Sequence, residues 1–225
     1  MPDQVTFLHT SAAHIETFER LVKAAEPNVR TNHVVAEDLL ADAQVVGADD
    51  ANLVARIQKA MVDAAAGGAP LVVCTCSTIG GAAERTPTQG RFEALRIDRA
   101  MAERAVRSGP EILVVAALES TLQPTIELIR ESAVALGQDV SIRHLVVRDA
   151  WQHFMRGDRE AYVLAVAVAI RREPLGADVV VLAQASMASA AEHLRDLGVE
   201  VLSSPALGVQ DVLRRLQGRG GSRSE

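Results

Sequence analysis

Short runs of Val, Ile and Leu alternate along the whole chain with stretches whose apolar positions recur at helical spacing. The runs predict strands at Gln4–His9, Thr31–Val35, Leu71–Cys76, Ile112–Ala117, Ser141–Val147, Val179–Ala183 and Glu200–Leu202. Most are unbroken rather than alternating, as in parallel strands covered on both faces. Helices are expected at Ile15–Ala25, Ala51–Ala65, Asp98–Ser108, Thr125–Leu136, Arg159–Arg171, Ala188–Leu197 and Val209–Leu216. In the second of these, Leu53, Val54, Ile57, Ala60 and Met61 follow helical spacing, and Asp50 stands where an N-cap belongs. Regular strand–helix alternation predicts an α/β fold with parallel, doubly wound sheets. The Gly-, Arg- and Ser-rich end, 218–225, reads as a flexible tail.

An internal repeat sharpens this picture. Gly68–Glu84 (GAPLVVCTCSTIGGAAE) placed over Gly176–Glu192 (GADVVVLAQASMASAAE) matches at seven of seventeen positions without a gap, at a shift of 108 residues. The same shift carries Asp50 onto Asp158, and Thr17, Glu19 and Ala25 onto Thr125, Glu127 and Ala133. One offset serving four elements implies two similar α/β halves. Ligands of such sheets bind beyond the carboxyl ends of the strands, so a cleft between two facing halves is the expected site.

Composition narrows the partners. A 225-residue chain with 48% apolar and 23% charged residues is ordinary for a globular protein. A net charge of −6 argues against nucleic acid as a partner. No apolar run is long enough for a membrane span, and the first twenty or so residues lack a signal-peptide pattern. Only two cysteines occur, Cys74 and Cys76, which excludes a disulfide scaffold and fits a reducing, cytoplasmic setting.

Candidate chemistry collects where strands end and helices begin. These loops are His9-Thr10-Ser11 and Cys76-Ser77-Thr78 in the first half, and Glu119-Ser120-Thr121 and Gln184-Ala185-Ser186 in the second. Small hydroxyls and free backbone N–H groups at a helix N-terminus favour a carboxylate or phosphate, although hydroxyls there also serve as simple caps. A cysteine so placed is expected to be activated as a thiolate, whereas a cysteine at a strand end is also a common small core residue. Cys74 should point the same way but lie deeper. No Cys or His cluster with ligand spacing accompanies the pair, so no metal is expected. His9 and His14 border the expected cleft, as does Glu119; Trp151 and Tyr162 read as packing residues.

These motifs resemble the aspartate/glutamate/hydantoin racemase superfamily. Val73-Cys74-Thr75-Cys76-Ser77-Thr78 is similar to its first cysteine motif and places Cys76 on the catalytic cysteine and Ser77 on an asparagine. Val181-Leu182-Ala183-Gln184-Ala185-Ser186-Met187 is similar to the second cysteine motif. Ala117-Leu118-Glu119-Ser120-Thr121 is similar to a strand-end motif with two threonines, of which Thr121 is kept, and His9-Thr10-Ser11 fits the loop after the first strand. The resemblance implies two pseudo-symmetric, flavodoxin-like halves. The first would span 1–97 plus a C-terminal helix at 206–217, the second 98–205. It also implies a small carboxylate substrate, no cofactor, and a homodimer as one arrangement. Thr10, Ser11, Ser77, Thr78, Glu119, Thr121, Gln184, Ala185 and Ser186 would then bind substrate.

One position departs from the pattern. Racemases of this family use two cysteines on opposite faces of the substrate, and here Gln184 stands where the second belongs; the internal repeat also sets Gln184 on Cys76. An amide cannot act as acid or base near neutral pH. Three readings stay open: single-thiol chemistry of isomerase, decarboxylase or lyase type; racemisation with a non-cysteine partner such as Glu119 or His9; and a carboxylate-binding protein without catalysis.

Overall fold

In the computed structural model, which describes residues 4–174 and 176–221, strands form where the apolar runs are unbroken. They are β1 (Gln4–His9), β2 (Arg30–Val35), β3 (Leu71–Cys74), β4 (Glu93–Arg96), β5 (Glu111–Ala116), β6 (Ser141–Val146), β7 (Val179–Leu182) and β8 (Glu200–Ser203). They pair, all in parallel, into two four-stranded sheets of identical order, β2-β1-β3-β4 and β6-β5-β7-β8. The unbroken runs β3 and β7 are buried throughout and sit inside their sheets. The half-exposed β2 and β6 lie at edges. β4, with the sequence EALR, was too short and charged to predict a strand; pairing with β3 makes it one and buries Leu95 and Arg96.

The helices are α1 (Ile15–Ala25), α2 (Glu37–Val46), α3 (Ala51–Ala64), α4 (Ser77–Glu84), α5 (Arg99–Ser108), α6 (Glu119–Leu136), α7 (Arg148–Met155), α8 (Arg159–Arg172) and α9 (Ser204–Gly221). α3 and α8 occupy equivalent places and begin alike: Asp50 Oδ1 accepts from Asn52 N and Leu53 N, and Asp158 Oδ1 from Ala161 N. Such caps satisfy N–H groups that the helix itself leaves open.

Several elements differ from the sequence expectation: β3 ends at Cys74 rather than Cys76, and α2, α4 and α7 form where no helix was expected. α6 starts at Glu119 and runs through Pro124; proline removes one helical hydrogen bond, and burial of Thr121, Leu122, Thr125 and Ile126 outweighs it. The segment after β7 is a 3₁₀ helix, Ala185–Leu194, where a helix from Ala188 was expected. α9 continues to Gly221, so 218–221 of the expected tail are helical, while 222–225 lie outside the described residues.

The chain divides into two units, Met1–Asp98 with Pro205–Glu225 (unit 1) and Arg99–Ser204 (unit 2). In unit 1, Leu53, Ile57, Met61, Val72, Ile79 and Phe92 form a core on one face of the sheet. α9 joins this unit through Arg215 and Arg219, which both pair with Glu93. In unit 2, Leu113, Val115, Tyr162, Val166, Val180 and Met187 form the core. Here α5 packs on α6, with Arg99 reaching Glu131 at 3.1 Å and Arg104 reaching Glu200 at 3.1 Å. Each fully buried Leu, Ile or Val contributes about 1.5–3 kcal/mol. Among the described residues no helix is long and apolar enough to cross a membrane.

Candidate functional site

In unit 1, the carboxyl ends of β1 and β3 lie side by side, with Leu8 paired to Cys74. β3 stops at Cys74, and α4 begins at Ser77. Cys76 therefore stands at the N-cap of α4, in an extended conformation (φ −101°, ψ 115°), and is partly exposed. Its side chain makes no capping hydrogen bond. Cys74 is fully buried, its thiol donating to the Cys76 carbonyl at 3.6 Å. Burial, followed by the nearby Cys76, pushes the Cys74 thiol pKa far up, so Cys74 stays protonated. Of two cysteines two residues apart, one is wholly buried and the other is partly exposed at a helix start, packed against the core of unit 1.

The other expected residues of this unit gather there. Thr10, Ser77 and Thr78 are buried; Ser11 caps a 3₁₀ turn, its Oγ accepting from Ala13 N at 3.3 Å. His9 is fully buried. Thr75 Oγ1 donates to the Leu8 carbonyl at 3.2 Å, so His9 Nδ1–H donates to Thr75 Oγ1 at 2.8 Å and His9 Nε2 accepts from His33 Nδ1 at 2.9 Å. Burial, then the neighbouring His33 and His14, lowers the His9 pKa to about 3. His33 is half-buried and stacked on His9 and Phe7.

One pair had no sequence signal. Arg96, at the end of β4, forms a two-pronged ion pair with Asp98: Nε to Oδ1 at 2.7 Å and Nη2 to Oδ2 at 3.0 Å, both side chains almost wholly buried. Arg96 Nη2 also donates to the Ser77 carbonyl in the first turn of α4 at 3.4 Å. Burial works to raise the Asp98 pKa, but the Arg96 charge and hydrogen bonds prevail and hold it below the usual carboxylate value. Charged residues at a strand end read as exposed in sequence, and only the overlying helix shows otherwise.

In unit 2, the carboxyl ends of β5 and β7 gather Glu119, Thr121, Gln184, Ala185 and Ser186. Glu119 is exposed and paired with Arg148 at 2.5 Å. Thr121 is buried in the first turn of α6, its carbonyl accepting from Thr125 Oγ1 at 2.9 Å. Gln184 occupies the position equivalent to Cys76, and its Oε1 accepts from Ala117 N at 2.6 Å and Leu118 N at 3.3 Å. The amide oxygen thus fills the N–H pair at the end of β5. Ser186 Oγ bonds the buried Tyr162 hydroxyl at 2.8 Å. Among the described residues, no group of three or more His, Cys, Asp or Glu side chains could hold a metal ion.

No family model matches the sequence, and no curated protein matches it. Solved structures do. A glutamate racemase isoform from Bacillus anthracis is 14% identical with a TM-score of 0.72, covering 97% of this chain and 83% of that one. An aspartate racemase from Picrophilus torridus is 13% identical with a TM-score of 0.66, covering 96% and 94%. A point mutant of arylmalonate decarboxylase is 16% identical with a TM-score of 0.61, again covering 96% and 94%. The chain shares their fold. Two four-stranded parallel sheets with flanking helices carry the likeness over nearly the full length. At these identities it speaks for architecture, and chemistry must be argued from the side chains.

Proposed function

We propose that the protein is an enzyme of the aspartate/glutamate/hydantoin racemase type that works without a cofactor on the carbon next to a carboxylate, with Cys76 as its only thiol acid or base. The observation that carries this is the contrast between Cys76, partly exposed at the start of α4 with no capping hydrogen bond, and Gln184, whose side-chain carbonyl is bound to the Ala117 and Leu118 N–H groups. The neighbours that share the fold include racemases and a decarboxylase, which supports chemistry at an α-carbon. Thr10, Ser11, Ser77 and Thr78 supply hydroxyls and backbone N–H groups for the carboxylate. Thr121, Ala185 and Ser186 offer donors of the same kind at the strand ends of unit 2.

A single thiol suffices when the electron pair on the α-carbon arises by loss of carbon dioxide or of another group that departs without the bonding electrons. The C–C bond breaks, its electrons form an enediolate, and the Cys76 S–H delivers its proton to carbon; water then reprotonates the sulfur. Two-base racemisation needs a second titratable group. His9 has both ring nitrogens engaged and is too weak a base, with its pKa near about 3, and Glu119 is tied to Arg148.

The test is proton exchange and decarboxylation by NMR in D₂O across small mono- and dicarboxylic acids, comparing wild type with Cys76→Ala. Wild type should place deuterium on the α-carbon, and the variant should lose at least about 10²-fold in rate. An equal rate in both removes Cys76 from the mechanism. Tight carboxylate binding without turnover by either protein would make the chain a carboxylate-binding protein.

A further inference from the structure

The buried Arg96–Asp98 pair lies directly under the turn that carries Cys76, and nothing in the proposed chemistry uses it. Taking two charges out of water costs several kcal/mol per ion, and well-packed apolar residues in their place are often neutral or stabilising. A pair kept in such a position therefore calls for a reason beyond folding.

The two units supply the comparison. In unit 1, register sets Arg96 opposite Cys74. In unit 2, the equivalent position on β8 is Ser203, opposite Leu182, and no arginine stands there. The helix above has adapted as well. A Cβ on Gly80 would stand 3.0 Å from Arg96 Nε and 3.2 Å from Cζ, closer than nearly all real contacts. Gly80 thus leaves room for the guanidinium, while the repeat carries Ala188 at that place. Where the guanidinium is present, the segment after the strand is an α-helix beginning one residue past a thiol. Where it is missing, the segment is a 3₁₀ helix and the thiol is an amide.

We infer that Arg96 and Asp98 are positioning residues for Cys76. Asp98 fixes the guanidinium in its plane through two parallel hydrogen bonds, and the guanidinium holds the Ser77 carbonyl, so the first turn of α4, whose N-cap is Cys76, is held in place. The role rests on Cys76 being the reactive thiol proposed above. Neither residue touches the substrate. Lysine cannot replace Arg96, because the fork geometry rather than the charge does the holding.

The experiment measures alkylation of Cys76 by iodoacetamide, read by peptide mass spectrometry, in wild type, in the double variant R96M/D98L and in R96K. Rates are taken from about pH 6 to about pH 9 so that ionisation and access are told apart. Circular dichroism and melting temperature report the fold. The double variant is expected to stay folded, since it removes both charges together, and to alkylate about ten-fold more slowly; R96K should slow about three-fold or more with its fold intact. A folded double variant with the wild-type rate and pH profile overturns the inference. Should the double variant fail to fold, a wild-type rate in R96K overturns it equally. The ratio of variant to wild type decides this point alone. Protection of wild-type Cys76 by small carboxylates is read separately, and its absence would sink the proposed function without bearing on that ratio.

Discussion

Unit 1 and unit 2 have the same strand order and the same Asp-capped helix ahead of the third strand, yet differ at every strand end. Unit 1 presents a thiol, a histidine pair of which His9 is buried and His33 half-buried, and a buried ion pair. At the equivalent ends, unit 2 presents an amide bound to the backbone N–H groups at the end of β5 and a carboxylate paired at the surface. The shared parts are those that bury apolar surface and satisfy backbone hydrogen bonds. The divergent parts contribute little to folding, and one of them, the ion pair, costs stability unless its geometry is good. A duplicated scaffold therefore tolerates change where strands meet helices, and unit 1 is where the titratable chemistry has collected.

The largest effect should come from breaking the way α9 completes unit 1. A Cβ on Gly208 would stand 2.1 Å from the Ile97 carbonyl oxygen, so Gly208→Ala forces the helix off the strand end. Urea unfolding should show a loss of about 3 kcal/mol or more. Gly218→Ala, later in the same helix with open space around it, should be neutral or slightly stabilising. Equal behaviour of the two variants would mean that the close approach is not real.

Acid should separate the units next. His9 has a folded pKa of about 3 against an ordinary 6.5, so between these values the unfolded chain binds a proton that the folded chain refuses. Stability then falls as pH drops below about 6.5, by up to about 1.4 kcal/mol per pH unit, and levels off below about 3. His9→Phe keeps the stacking against Phe7, Phe18 and His33 but removes the titration, and its stability should depend less on pH across that window. An identical pH slope in the variant would contradict the burial of a neutral His9.

The smallest effect tests the two equivalent positions directly. Gln184→Ala removes the acceptor for Ala117 N and Leu118 N and should cost about 1–2 kcal/mol. Cys76→Ala removes a side chain that caps nothing, and should cost less than about 1 kcal/mol while removing the thiol. Should Cys76→Ala prove the more damaging, the thiol would have a structural role comparable to that of Gln184.

Much of this architecture was legible without coordinates. Unbroken apolar runs marked β3 and β7, and the repeat joined them through a common shift. That Cys74 lies deeper than Cys76 followed from their order along an extended chain, whereas the end of β3 at Cys74, which leaves Cys76 at the helix start instead of within the expected strand, is set by the fold. Less could be read where a residue's role depends on distant partners. β4 is a strand because β3 offers a ladder, and Pro124 lies within a helix because its neighbours are buried. His33 reads as an edge-strand polar residue until the buried His9 ring is found beside it.

Sequence by itself determined the duplicated α/β framework and the match of Cys76 to Gln184 in the repeat, because local periodicity and covalent order carry both. Only the tertiary structure decided which charges are buried, that Arg96 and Asp98 meet beneath the start of α4, and that Gln184 reaches across to the N–H groups at the end of the neighbouring strand β5. Those depend on desolvation and on distances between residues far apart in the chain, and no short stretch of sequence encodes either.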